Sequence, residues 1–189
     1  MTFPPVLNNF FSKTVSQSVK ILEYGSGGST KFISQFSRYL LSIDSDREFI
    51  DLLKKEINQI NVNNNITLLH IDIGPTKEWG HPVDISKRTN WHKYAIYPWE
   101  VLRCQNIAPD LVLIDGRFRV ACMLATMAST SKPTKVIFDD YANRSYKDII
   151  EKFITPIEII DRAAYFEISP GKIFASDILT YFDSFFDPS

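Results

Sequence analysis

Apolar residues fall into short runs separated by amphipathic stretches, and most of the runs stop at a carboxylate. Val19 to Tyr24 ends in glycines, Tyr39 to Ile43 at Asp44, Ile66 to Ile71 at Asp72, Leu111 to Ile114 at Asp115, and Lys135 to Phe138 at Asp139 and Asp140. Between them the spacing turns helical. Ser45-Asp46-Arg47-Glu48 reads as a capping box ahead of Phe49, Ile50, Leu52, Leu53, Ile57 and Ile60. Phe118, Ala121, Cys122, Leu124, Ala125 and Ala128 make a second stripe, and Ser145 with Asp148 can cap a third helix before Ile149, Ile150 and Phe153. Strands alternating with helices predict a parallel sheet covered on its faces. Asn61 to Asn65 is polar turn material, and Pro156 to Ile160 and Ala164 to Ser169, flanking Asp161-Arg162, predict an antiparallel C-terminal hairpin. Gly74 to Asn106 breaks the rhythm. It holds Trp79, Trp91, Trp99, His81 and His92, and a segment of that length predicts either a binding loop or lid or a surface excursion pinned by its aromatics.

Of the seven glycines, Gly25, Gly27 and Gly28 crowd into the first strand-to-helix turn. Glycine admits positive φ and close ligand approach, and the following helix presents free N–H groups. In an open parallel sheet that turn lies where ligands bind. Asp44 has the spacing of the acidic partner of a dinucleotide turn, but the third glycine of that fingerprint is replaced by Thr30, and Glu23 would repel a pyrophosphate. A carboxylate there suits a ligand carrying a cationic group.

Length and charge narrow the picture. At 189 residues and 44% hydrophobic the chain is one globular domain, comprising a helix or arm over 1–18, the sheet, and a substrate-side loop over 74–106. Twenty-one basic against 22 acidic residues leave no field for duplex nucleic acid or an acidic membrane. No charged start precedes an apolar run, so the expected location is the cytoplasm. Cys104 and Cys122 lie in different predicted helices without metal-ligand spacing and read as reduced packing residues.

The stretch Ile21-Leu22-Glu23-Tyr24-Gly25-Ser26-Gly27-Gly28-Ser29-Thr30 resembles the first motif of class I S-adenosylmethionine-dependent methyltransferases, and the resemblance runs from about Val19 to Tyr141. It implies a Rossmann-like α/β fold: a seven-stranded, mostly parallel sheet with an antiparallel C-terminal hairpin and helices on both faces. It also implies a donor site of Glu23, Gly25, Ser26, Gly27, Ser29, Asp44, holding the ribose hydroxyls, and Asp72, near the adenine or its ribose.

Asp115, Asp139 and Asp140 end neighbouring strands, so their carboxylates can converge on a hard cation such as Mg²⁺. Leu113 to Gly116 and Val136 to Tyr141 resemble the metal-binding stretches of catechol-type and sugar-modifying O-methyltransferases, which makes Asp115 and Asp140 the candidate catalytic groups. The other reading is that Arg117, Arg119 or Arg144 neutralises these aspartates; the same arginines can instead recognise an acceptor phosphate or carboxylate. His81, His92 or Lys93 can take a proton, while His70, Tyr146, Phe185 and Phe186 read as packing. The expected activity is methyl transfer to oxygen on a small molecule or sugar, without nucleic acid or membrane partners, and a homodimer is compatible with the sequence. The alternatives are an NAD(P)-dependent oxidoreductase and a non-catalytic binding protein on the same scaffold.

Overall fold

Side chains alternate across a strand, and in this chain both faces of the sheet are apolar, so helices must cover both. The computed structural model describes residues 3–60, 65–171 and 173–189. Its strands are β1 (Lys20–Tyr24), β2 (Tyr39–Asp44), β3 (Asn65–His70), β4 (Leu111–Ile114), β5 (Thr134–Phe138), β6 (Glu158–Ile160) and β7 (Ala163–Ile168). They form one sheet in the order β3-β2-β1-β4-β5-β7-β6, with β7 antiparallel to both of its neighbours. The predicted sheet and hairpin are both present.

Helices α1 (Pro5–Ser16), α2 (Gly28–Phe36) and α3 (Arg47–Gln59) cover one face; α4 (His92–Cys104) and α5 (Arg119–Ser129) cover the other, with the single turn α6 (Lys147–Ile150). Leu7, Phe11, Val15 and Ile33 pack on Ile21, Leu40, Leu111 and Leu113, all fully buried. Opposite them, Leu22 and Tyr24 meet Tyr94, Trp99 and the apolar side of α5. Tyr24 Oη donates to the Ala95 carbonyl at 2.7 Å, tying β1 to α4. The C-terminus adds α7 (Ala175–Thr180) and a short turn over Phe182–Phe186, whose Phe185 is buried. Among the described residues no helix is long and apolar enough to cross a membrane.

Several expectations are corrected. The segment 74–106 is not irregular throughout, because α4 fills its second half and buries Trp91 and Trp99, leaving only Trp79 in solvent. The α3 cap is Asp46, accepting from the Phe49 amide at 3.0 Å, rather than a box built on Ser45. The helix expected after Ser145 is one turn. Cys122 is buried, but Cys104, at the end of α4, is exposed. Residues 61–64 of the expected Asn61 to Asn65 turn lie outside the described residues, and Asn65 itself opens β3.

The Asp161-Arg162 turn between β6 and β7 holds the C-terminal hairpin in two directions. Asp161 accepts from the Leu7 amide at 3.0 Å, anchoring α1. Arg162 donates from Nε and Nη2 to Asp139 at 2.8 and 2.6 Å, a bidentate clasp on a carboxylate that is 1% exposed. Removing the guanidinium leaves that charge buried and unpaired. Arg162→Ala is expected to cost about 2–3 kcal/mol in urea denaturation, and adding Asp139→Asn should recover part of that loss. A fully additive double variant would disprove the pairing.

Candidate functional site

The β1–α2 turn is shaped by two backbone constraints. Gly25 has φ +94°, and a Cβ there would stand 2.6 Å from the Gly116 amide nitrogen and 2.7 Å from its Cα. Only glycine on both sides lets the β1 and β4 ends approach this closely. The turn is then fixed to β2: the Gly25 amide donates to Ile43 at 2.9 Å, and the Ser26 amide to the Ile43 carbonyl and to Asp44 Oδ2, both at 3.1 Å. Asp44 Oδ1 accepts from the Asp46 amide at 2.9 Å. Gly25, Ser26 and Asp44 are thereby brought together, as expected.

Glu23 lies beneath the turn, fully buried. It pairs in register with Ser42 on the α2 side of the sheet. Its carboxyl accepts from Ser29 Oγ at 2.5 Å, Thr30 Oγ1 at 2.7 Å and Ser42 Oγ at 2.6 Å. Burial outweighs these three donors and raises its pKa to about 7. Glu23 therefore faces hydroxyls, and its charge reaches the cleft only through them. Gly27 and Thr30 complete the cap, the Gly27 amide donating to Thr30 Oγ1 at 2.7 Å. Thr30 and Ser42 were absent from the expected donor set. Ser42 was legible from alternation in β2, because it falls on the same face as Leu40 rather than Leu41. Thr30, fully buried where a dinucleotide turn has its third glycine, spaces α2 from the sheet with a side chain and argues against the oxidoreductase alternative.

Asp72 lies apart from this group. It is exposed, ion-paired with Lys87, and accepts from the Gly74 amide at 3.1 Å. With His70, Asn90, His92, Lys93, Ile96, Tyr97 and Glu100 it lines a groove of about 580 Å³ along the β3 edge. His70 Nε2 meets the Ser45 carbonyl at 3.1 Å and so braces the β2–α3 turn.

The first half of the long segment does reach the cleft. Thr76 bridges to Pro82, and the Lys77 amide donates to the His81 carbonyl at 2.8 Å, forming a narrow loop whose tip, Trp79, is 86% exposed at φ +62°. Ser45 Oγ donates to the Gly80 carbonyl at 3.3 Å, and a Cβ on Gly80 would stand 3.9 Å from Asp44 Oδ1 and 3.8 Å from Arg117 Cγ. The loop thus lies between the ends of β2 and β4, over the aspartate expected to hold ribose.

At the β4 and β5 ends arginines meet the aspartates. Arg119, buried, lies 3.5 Å from Asp115 and 3.3 Å from Asp140; Arg144 is 3.3 Å from Asp140, and Arg162 adds a 3.3 Å contact to the same carboxyl. Tyr146 is more than packing, since its hydroxyl accepts from Arg119 at 3.3 Å and donates to the Asp140 carbonyl at 2.5 Å. Asp115 is pushed well above the usual carboxylate range by burial and by Asp139 beside it, against the pull of Arg119. Burial also acts on Asp140, but Arg119, Arg162 and Arg144 hold it below that range. Among the described residues no group of three acidic, histidine or cysteine side chains is placed to hold a metal. The Mg²⁺ centre expected on Asp115, Asp139 and Asp140 does not fit these donors, because Asp139 and Asp140 are already turned onto guanidinium groups. Arg162, the main partner of Asp139, was missed; its signal was its place in the hairpin turn, next to the end of β5 in this topology.

No family model matches the chain, and no curated protein matches it. Solved structures do. A methyltransferase-like protein from Silicibacter pomeroyi is 32% identical over 100% of this chain and 97% of its own, with a TM-score of 0.91. A methyltransferase from Geobacter sulfurreducens (11% identity, 88% and 80% covered, TM-score 0.55) and a putative rRNA-methylase from Clostridium thermocellum (12%, 89% and 99%, TM-score 0.52) share the fold. The sheet order, the glycine turn and the full-length relative together place the chain in the class I, Rossmann-like methyltransferase family.

Proposed function

We propose that the cleft at the ends of β1, β2 and β4 binds S-adenosylmethionine and delivers its methyl group to an oxygen of a small molecule or sugar. The observation that carries this reading is the Gly25 turn, hydrogen-bonded to Asp44 and pressed on Gly116, with a buried glutamate below it. Gly25, Ser26 and Gly27 supply a surface without side-chain bulk for the methionine part of the donor, and Asp44 accepts the ribose hydroxyls. Ser29, Thr30 and Ser42 relay the Glu23 charge toward the donor's cationic groups. Asp72 borders the adenine side. The loop carrying Gly80 covers Asp44, so the donor enters by sharing or displacing that loop.

In-line methyl transfer needs orientation and a place for the hydroxyl proton. Asp115, at the β4 tip, is the candidate acceptor of that proton, since its raised pKa makes it a better base than a solvated carboxylate. Asp140 acts through Arg119 and is a positioning residue. The near-neutral charge balance supports a small acceptor over RNA.

Titration calorimetry with S-adenosylhomocysteine should give micromolar binding; no heat at millimolar nucleoside would end the donor reading. Gly25→Ala puts a methyl group against the Gly116 backbone at an unfavourable φ. It is expected to abolish binding and to destabilise the fold by about 2 kcal/mol or more, whereas unchanged affinity would remove the turn from the site. The Glu23 carboxyl has a folded pKa above its unfolded value, so its contribution to stability is complete below about pH 4.5 and lost as pH rises to about 7. The loss is on the order of 3 kcal/mol, and Glu23→Gln should flatten that part of the stability–pH curve. A cationic ligand favours ionised Glu23, so binding at pH 6 to 7 should release protons, measured as binding heats that differ between buffers of different ionisation enthalpy.

A further inference from the structure

Four arginines surround the β4 and β5 ends, and three of them are neutralised by Asp115, Asp139 and Asp140. Arg117 is different. Among the described residues no carboxylate lies within 4.0 Å of its guanidinium, and its Nε is buried with no hydrogen-bond partner. Its Nη1 donates to His81 Nε2 at 2.7 Å. An arginine only donates, so this nitrogen accepts, and the imidazole is neutral with its proton on Nδ1. Burial and the neighbouring charges of Arg117 and Lys77 hold His81 below its ordinary pKa, in agreement with that tautomer. Lys77 also has no carboxylate partner among the described residues.

The two arginines of the β4–α5 turn are separated by backbone geometry. Phe118, fully buried between them, has φ +54°, a conformation that bulky residues adopt only when their surroundings impose it. Arg119 reaches the aspartates, whereas Arg117 lies against Gly80, the residue that also approaches Asp44. A part-buried guanidinium without a counter-ion has given up hydration for one neutral contact. Its planar fork matches a carboxylate or a phosphate.

We propose that Arg117, steadied by His81 and joined by Lys77, is the binding point for an anionic group, a carboxylate or phosphate, on a ligand occupying this cleft. The proposal deepens the methyl-donor reading, and rests on it for which molecule brings the anion: the donor through its own carboxylate, or the acceptor through a carboxylate or phosphate.

The test is calorimetry on the full chain and on Arg117→Gln. The probes are S-adenosylhomocysteine, 5′-methylthioadenosine, which lacks the carboxylate, and inorganic phosphate added to free and nucleoside-loaded protein. If the donor's carboxylate is bound, Arg117→Gln weakens S-adenosylhomocysteine roughly ten- to a hundredfold and leaves 5′-methylthioadenosine within twofold. If the acceptor's anion is bound, both nucleosides are unaffected and phosphate binding to the loaded chain is lost. The proposal is overturned if Arg117→Gln changes neither nucleoside nor phosphate binding, or weakens both nucleosides equally. Should Arg117→Gln fail to fold by circular dichroism, Arg117→Lys, which keeps the charge and loses the fork, carries the same comparison. If the wild-type chain binds no nucleoside, the donor reading fails alone, because phosphate binding that depends on Arg117 still supports the anion site, and its absence overturns that too.

Discussion

The contact between Gly25 and Gly116 sets the position of everything around it. A Cβ on Gly116 would stand 2.9 Å from the Gly25 nitrogen and 2.2 Å from the Tyr94 hydroxyl. The β1 and β4 ends can therefore close on each other only while both residues lack side chains. That closure lies at the point where strand order reverses, between β1 and β4, the place where open α/β sheets hold ligands. Glu23, Asp44, Asp115 and Arg117 are grouped around it, each within three residues of the end of β1, β2 or β4.

Charge in the cleft is divided by depth. Under α2 a single carboxyl is satisfied by hydroxyls and sits near neutrality. At the β4 and β5 ends three carboxylates meet three guanidinium groups, and the excess positive charge is displaced toward the loop carrying His81. Buried ions need partners, and those partners come from three separate elements: α5, the turn before α6, and the β6–β7 hairpin. The arrangement ties the C-terminal hairpin to the β4 and β5 ends, so a strand pair at the edge of the sheet takes part in setting the electrostatics there.

Much of this was legible in the sequence. Short apolar runs, four of them ending in carboxylates and the first in glycines, located five parallel strands, and the glycine cluster located the cleft, because these signals are local. The pairing of Asp139 with Arg162 depends on which strands become neighbours, so it is invisible to local spacing. Helix α4 was hidden for another reason. Its buried positions Tyr94, Ala95, Pro98, Trp99 and Leu102 keep helical spacing, but Pro98 sits inside the helix, where proline ordinarily marks a break. The metal reading erred because carboxylate spacing alone does not show which cations the fold delivers to the same place.

The loop over Asp44 ends in an indole that stands in water, whereas the other two tryptophans are enclosed in the core. Indole emission is sensitive to solvent, so the chain's intrinsic fluorescence divides into a buried pair and one outlying signal. That outlying signal belongs to the loop beside Asp44, which gives the protein a built-in optical reporter of what happens at that end of the cleft.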